Sequence, residues 1–178
     1  MSDSVIYFGD VDDRGVNLIA ALAVALQDEV LAGAAEAGAL NATTAAALAT
    51  LHSCPGEGID ALSGVVGLTG SGTVRLVAGL VDQGLVEKRP GLTDRRAVAL
   101  HLTGPGEEMA RKVLAARRAR AGVALRALTS TEQRQLTGLA ERMLSALVSS
   151  RAQADRICRL CDYSACPQDV CPVETAVE

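Results

Sequence analysis

Four cysteines near the C-terminus are the residues whose type and spacing could do chemistry. Cys158, Cys161, Cys166 and Cys171 form a C-x2-C-x4-C-x4-C array, and the fifth cysteine, Cys54, lies far earlier in the chain. Four thiolates so close in sequence can close a tetrahedral site around zinc, which is the usual arrangement of a structural zinc site. The array therefore predicts a metal site with these four ligands and with zinc as its metal.

Two other chemistries suit the same cysteines. The pairs Cys166-Pro167 and Cys171-Pro172 are of a kind found among iron–sulfur ligands, although the spacing fits no standard ferredoxin run. A metal-free thiol switch is the third alternative, and structural disulfides are disfavoured in a reducing compartment. The array is similar to the small zinc knuckle, with Cys in place of its usual third-ligand His and without that motif's glycines.

The charge of this tail argues against nucleic-acid binding by the tail itself. Residues 152–178 hold five acids against Arg156 and Arg159. The negative charge of four thiolates also exceeds the positive charge of one divalent zinc ion, so the tail is anionic and phosphate repels it. We expect the tail to clamp a helix end, to contact a partner subunit, or to sense redox state or metal.

The chain that must position this tail contains a helix, a turn, a second helix and a hairpin. A short apolar helix over Ile59–Val66 breaks at Gly67, and the next helix runs from after Thr69 to Gln83 and stops at Gly84, a typical residue just past a helix end. Two β-like runs, 85–89 and 97–102, are joined by a loop that contains arginines. This order predicts the winged form of the DNA-binding helix-turn-helix.

The periodicity of the second helix predicts two different faces. Thr73, Leu76 or Val77, and Leu80 share one face, which we expect to pack on the preceding helix. Thr69 and Ser71 lie near the helix N-terminus, where amide groups and the helix dipole favour a phosphate. Arg75 could reach guanine or a phosphate, and Val74 could meet a thymine methyl group. The predicted DNA-contacting residues are Thr69, Ser71, Thr73, Val74, Arg75, Arg89, Asp94, Arg95 and Arg96.

The hairpin arginines and the charge distribution support this interpretation. The net charge is −4, but residues 75–126 hold eleven basic side chains against five acids. That asymmetry predicts a cationic face around the winged segment. Arg95 and Arg96 are the candidates for entering the minor groove or gripping its phosphates, and Asp94 is expected to restrain one guanidinium.

The stretch LTGSGTVRLVAGLVDQGLVEKR, the loop core TDRR and the run AVALHLT together resemble the MarR family of dimeric bacterial transcription regulators. The resemblance covers about residues 15–150 and leaves the final segment outside. It implies a homodimer built from the first helix and the two helices after the hairpin, bound to double-stranded DNA at a palindromic operator. A repressor role and a small-molecule effector are further implications.

The predicted fold class is mainly α with a small β-hairpin wing, a winged helix-turn-helix with long dimerisation helices. The predicted organisation is a flexible N-terminus over 1–12, a dimerisation helix over 13–40, the winged helix-turn-helix over 41–102, dimerisation helices over 103–150 and a cysteine-rich metal-binding tail over 151–178. Thr103 is expected to cap the first of the later helices, and Thr129 with Glu132 the second, over 130–150.

Other classes of protein are disfavoured. No apolar run approaches the length of a membrane span, and the start MSDSVIYFGD lacks a signal-peptide pattern, which predicts a cytoplasmic protein without a membrane partner. A site closed by four cysteines leaves no open coordination position, and no nucleophile–base pair is visible elsewhere. We therefore predict no enzymatic activity.

Overall fold

The computed structural model describes residues 12–39, 41–91 and 96–177. The fold is mainly helical with one two-stranded hairpin, as the sequence predicts. In chain order the elements are α1 (Asp13–Glu36), α2 (Ala42–Ser53), α3 (Ile59–Val66), α4 (Gly70–Asp82), β1 (Val86–Pro90), β2 (Val98–Leu102), α5 (Gly104–Leu125), α6 (Ser130–Leu147), α7 (Arg151–Cys158) and a 3-10 turn (Gln168–Val170). The expected flexible N-terminus lies outside the described residues except for Asp12, which caps α1.

Local signals explain where the helices begin and end. Thr103 accepts a hydrogen bond from the Gly106 amide at the start of α5. Thr129 and Glu132 form the predicted capping box, since each side chain bonds the other residue's backbone N–H. Gly84, just past α4, has a φ of 70°, a backbone conformation that glycine adopts without a steric penalty.

One apolar core joins the helix-turn-helix to the hairpin and to the start of α5. Its fully buried side chains are Leu48 and Leu51 of α2, Leu62 of α3, Val77 and Leu80 of α4, and Leu100 of β2. β1 and β2 pair antiparallel, with Val86 opposite Leu102 and Pro90 opposite Val98. The core therefore fixes α3, α4 and the hairpin as one unit.

The junction between the hairpin and α5 depends on a close backbone approach. A Cβ atom placed on Gly106 would lie 1.9 Å from the carbonyl oxygen of Leu85. Thr103 strengthens the same junction, because its amide donates to the Leu85 carbonyl and its hydroxyl donates to the Gly84 carbonyl. Glycine is therefore required at position 106 for α5 to start here.

Two helices carry large apolar side chains that face solvent. On α1 the exposed side chains are Val16, Leu18, Ile19, Leu22 and Val24, and on α6 they are Leu136, Leu139, Met143 and Leu147. These side chains form an exposed apolar stripe along α6, with Leu144 half-buried. Surface of this kind marks a site of association when it is contiguous.

The expectation that no segment approaches the length of a membrane span was wrong for α1. Over the described residues, α1 is long and apolar enough to cross a membrane by length and composition, with a mean hydropathy of 1.7 in its most apolar window. Alanines, rather than large aliphatic residues, fill much of this helix, so the run does not stand out in the sequence. One such helix is weak evidence for a membrane span, since α1 also packs against α5.

The C-terminal segment differs from its prediction. α6 ends at Leu147 rather than at Ser150, because Val148 is extended and Ser150 caps a separate helix, α7, by accepting from the Gln153 amide. α7 packs against α3, so the segment lies beside the helix-turn-helix.

Candidate DNA interface and four-cysteine cluster

α3 and α4 form the helix-turn-helix and meet at 102°. Gly67, with a φ of 69°, ends α3, and Thr69 caps α4 by accepting from the Gly72 amide at 3.2 Å. The Ser63 hydroxyl donates to Thr73 Oγ1 over 2.7 Å, which ties α3 to α4. The angle between the two helices is therefore held by a turn glycine, a cap and a side-chain hydrogen bond.

The two faces of α4 are arranged as its periodicity predicts. Thr73, Val77 and Leu80 are buried against the core. The exposed side chains on the other face are those of Ser71, Val74, Arg75 and Ala78. Among the described residues Arg75 has no hydrogen-bond or ion-pair partner, so its guanidinium is available to an external anion.

The prediction that Thr73 contacts DNA was wrong. Its side chain is fully buried, and its hydroxyl accepts from Ser63 and donates to the Thr69 carbonyl at 3.1 Å. A buried hydroxyl with both bonds satisfied inside the protein cannot reach a phosphate. Thr73 instead positions α4 on α3.

The hairpin places further cations beside α4. Lys88 and Arg89 are exposed on β1, and Arg96 is exposed before β2. The Arg89 guanidinium is paired with the Glu87 carboxylate on the same strand. The predicted wing residues Asp94 and Arg95 lie outside the described residues. Lys88 was not among the predicted contacts, although its place in VEKR on an exposed strand is a signal that could have found it.

The four tail cysteines come together in one cluster with the end of α6. Cys158 and Cys171 are buried, and Cys161 and Cys166 are half-buried against them, together with Val148, Ala154 and Val173. Three tight turns bring them together, because the amides of Cys161, Cys166 and Cys171 donate to the carbonyls of Cys158, Asp162 and Gln168 respectively. All five cysteines of the chain are free thiols.

The thiols of the cluster interact with one another. The Cys158 thiol donates a hydrogen bond to the sulfur of Cys161, which raises the pKa of Cys158 and lowers the pKa of Cys161 to about 6. The positive charge of Arg117 lowers the pKa of Cys161 further. Burial raises the pKa of Cys166 to about 11. Cys171 bonds both Cys158 and Cys166, so the four sulfurs form one connected group.

The metal prediction remains a prediction. Among residues 12–39, 41–91 and 96–177, no group of three or more His, Cys, Asp or Glu side chains is arranged so that it could hold a metal ion as it stands. Binding of zinc by the cluster would therefore require the sulfur atoms to move toward a common centre, at about 2.3 Å from the metal.

Contacts that the sequence did not indicate fasten the tail to the rest of the fold. Leu160, between two of the cysteines, packs on the cluster of Ala34, Ala39, Ala45 and Val113 from α1, α2 and α5. Arg151 pairs with both carboxylate oxygens of Glu174 at 2.5 and 2.7 Å. The Ser145 hydroxyl on α6 donates to the Pro172 carbonyl. The tail thus bridges α6 and the helix-turn-helix.

The fold is a winged helix-turn-helix, similar to that of MarR-family structures. Several solved structures share it along most of their length. Rv1404 of Mycobacterium tuberculosis superimposes with a TM-score of 0.70 at 20% identity, covering 79% of this chain and 97% of that one. YusO of Bacillus subtilis gives a TM-score of 0.63 at 23% identity, covering 77% and 99%.

Two further comparisons concern function. The MarR family protein Rv2887 of Mycobacterium tuberculosis, solved in complex with DNA, gives a TM-score of 0.60 at 24% identity over 75% of this chain and 98% of that one. The HTH-type transcriptional regulator PetP of Rhodobacter capsulatus is 40% identical over 73 residues, which are 41% of this chain. The chain covers less than half of PetP, 44% of its length. No family model matches the chain.

Proposed function

We propose that the protein is a non-enzymatic, sequence-specific DNA-binding transcription regulator of the MarR type, acting as a repressor in the cytoplasm. The observation that carries the proposal is the exposed face of α4. In the first part of α4 the exposed side chains of this face, those of Ser71, Val74, Arg75 and Ala78, are short or apolar except for Arg75. The helix can therefore approach base edges closely there while one guanidinium meets guanine or phosphate. The name of PetP and the DNA complex of Rv2887 support the same class of function.

The hairpin supports DNA binding through charge. Lys88, Arg89 and Arg96 lie exposed on or beside the two strands that follow α4. Lys and Arg at a wing neutralise phosphates and release counterions, which supplies affinity without sequence information. Base readout is therefore assigned to α4 and backbone grip to the hairpin, with Arg95 as a further candidate and Asp94 as the expected restraint of one guanidinium.

A homodimer on a palindromic operator is part of the proposal. The exposed apolar side chains of α1 and α6 need a partner, and a second copy of the chain supplies the same surface. A two-fold assembly would place two copies of α4 about one DNA turn apart, which matches the half-site spacing of a palindrome. This assembly also accounts for the apolar character of α1 without a membrane.

A small-molecule effector is included in the proposal. Rv2887 was also solved with salicylic acid, in a structure with 26% identity and a TM-score of 0.57 to this chain. In this chain a cleft of about 280 Å³ lies between α2, α3 and the tail, and Thr50, Cys54, Glu57, Arg159 and Tyr163 are among its lining residues. Its volume is close to the lower end of ligand pockets, which supports an effector of small size.

Fluorescence anisotropy on duplex DNA selected from a random pool tests DNA binding. Arg75→Ala should weaken binding to the selected site by about 1–3 kcal/mol and relax the preference for one base pair if Arg75 reads a base. Arg96→Ala should weaken binding to all duplexes alike and lower the salt slope by about one unit. Arg134→Ala, on α6 away from this surface, is the control and should change neither.

Failure of selection is the outcome that contradicts the proposal. If no duplex is enriched over the pool, and Arg75→Ala and Arg96→Ala bind DNA as the parent does at every salt concentration, then α4 and the hairpin are not a DNA interface.

A further inference from the structure

We propose that Cys158, Cys161, Cys166 and Cys171 form a thiolate site for one zinc ion, and that zinc binding fixes the tail against the junction of α3 and α4. The zinc site is a proposal about the tail itself, whereas its effect on the junction of α3 and α4 rests on the proposed DNA-binding function.

The buried part of the cluster contains little apolar material apart from its cysteines. Besides the two buried cysteines, its buried members in the described part of the chain are Val148, Ala154 and Val173. Segments below about 40 residues that lack a sizeable core are usually stabilised by disulfides, metals or association. All five cysteines are free, so no disulfide supplies this cross-link. A metal bound by four thiolates would supply it.

Turns of the backbone already bring the four cysteines close to one another. Each of the three later cysteines donates its amide to a carbonyl three or four residues earlier, so three consecutive turns return the chain to the same place. Cys158 and Cys171 are buried in one cluster and Cys161 and Cys166 pack against it, so the four side chains are close to one another. Because no metal-holding group is preformed among the described residues, zinc binding must be accompanied by a rearrangement of the tail.

Two contacts would carry that rearrangement to the helix-turn-helix. Cys158 is the last residue of α7, and α7 packs on α3. Two residues earlier on the same helix, Arg156 lies beside Gly67, the glycine that ends α3 before α4 begins; a Cβ at Gly67 would be 3.8 Å from Arg156 Cδ. The tail therefore touches the point at which the angle between α3 and α4 is set.

The choice of zinc follows from the donor set. Four sulfur donors select thiophilic metals over magnesium or calcium, and zinc is the common d¹⁰ ion that adopts a tetrahedral four-thiolate site. Such a closed site leaves no position for substrate, so its expected effect is structural and regulatory rather than catalytic. An iron–sulfur cluster and a disulfide switch are the alternative outcomes of the test.

The metal site is tested on the full chain purified without oxygen and with a reductant. Zinc, iron and acid-labile sulfide are measured per chain, and Zn²⁺ is then titrated into chelator-treated protein. We expect one zinc per chain and one equivalent taken up. Cys158→Ser, Cys171→Ser and the half-exposed Cys166→Ser should each lose the zinc. Cys54→Ser, which changes the cysteine outside the array, should retain it.

Three results would overturn the zinc site. The first is no zinc in the native protein and no uptake, with five thiols titratable. The second is iron with sulfide in a brown protein, and the third is disulfide-linked cysteines after anaerobic purification. Retention of zinc by Cys166→Ser with its fold intact by circular dichroism would also contradict the ligand assignment, even if the buried variants do not fold.

The coupling to α3 is tested by hydrogen exchange and DNA binding with and without zinc. Zinc should slow amide exchange in residues 59–70 and tighten DNA binding by about tenfold, within the usual range of coupling between sites. Cys54→Ser should respond as the parent does, and Cys166→Ser should not respond. If zinc binds but neither exchange nor affinity changes, the coupling is wrong. If zinc binds and slows exchange but no DNA is bound, the proposed DNA-binding function fails and the metal site stands.

Discussion

The hydroxyl of Ser63 donates a 2.7 Å hydrogen bond to Thr73 Oγ1, and that hydroxyl donates in turn to the Thr69 carbonyl at 3.1 Å. This chain of bonds runs from the middle of α3 into the first turn of α4. It explains why a threonine occupies a fully buried position in the helix that presents the DNA-facing surface. The polar group is satisfied, and it fixes the position of one helix on the other.

Thr73→Val keeps the branched shape but removes this hydroxyl, which leaves Ser63 without its acceptor. We expect the free energy of unfolding to fall by about 1–2 kcal/mol, the cost of leaving a half-buried hydroxyl unpaired. Urea denaturation measures this loss, and DNA affinity of the folded protein should change little. Ser71→Ala, on the exposed side of the same turn, should show the reverse pattern. Loss of DNA binding by Thr73→Val at unchanged stability would restore Thr73 as a DNA contact.

The Glu87 carboxylate on β1 should oppose DNA binding, because it pairs with Arg89 and repels phosphate. Glu87→Gln removes the negative charge and releases the guanidinium for the DNA backbone. We expect binding about two- to fivefold tighter at low salt, consistent with the interaction of one exposed charge pair, and a steeper salt dependence. Glu141→Gln on α6 is the control for a general change of net charge. Equal effects of the two substitutions would show that Glu87 acts only through net charge.

The sequence predicted the winged helix-turn-helix closely because its signals are local. Ile59–Val66 was predicted with its observed bounds, since Gly67 must end the helix, and the hairpin strands were predicted within one residue. The ion pair between Arg89 and Glu87 in the hairpin could not be predicted. These two residues do not have helical spacing, and their contact depends on the strand conformation.

Three features depend on packing that a linear pattern does not contain. Thr73 was assigned both to the buried face and to DNA, and only the position of Ser63 decides between them. α7 was missed because its Arg- and Gln-containing run follows α6 after a break of three residues, at Val148–Ser150. The bridge from the tail to α3 is a long-range contact with no motif of its own.

Gly106 should be intolerant of any side chain, whereas its neighbour Gly104 should tolerate one. A Cβ at position 106 would lie 1.9 Å from the Leu85 carbonyl oxygen, while one at position 104 would meet nothing within 4 Å. We expect Gly106→Ala to lower the free energy of unfolding by at least about 1–3 kcal/mol, as overpacking does. Gly104→Ala should be neutral or slightly stabilising. Denaturant unfolding of both variants checks the prediction, and equal stabilities would show that the junction can shift.

Leu139→Glu should dissociate the proposed homodimer. Leu139 is 53% exposed in the middle of the α6 stripe, so its replacement disturbs no packing within the chain. In a two-fold interface the substitution would bury two carboxylates near one another without partners, which costs several kcal/mol. Sedimentation equilibrium at micromolar concentration should show a monomer, and binding to a palindrome should fall to that of a single half-site. Arg134→Glu introduces the same side chain on α6 outside the stripe and should remain dimeric. A parent chain that sediments as a monomer, or a Leu139→Glu variant that sediments as the parent dimer does, would remove the α6 stripe from the interface.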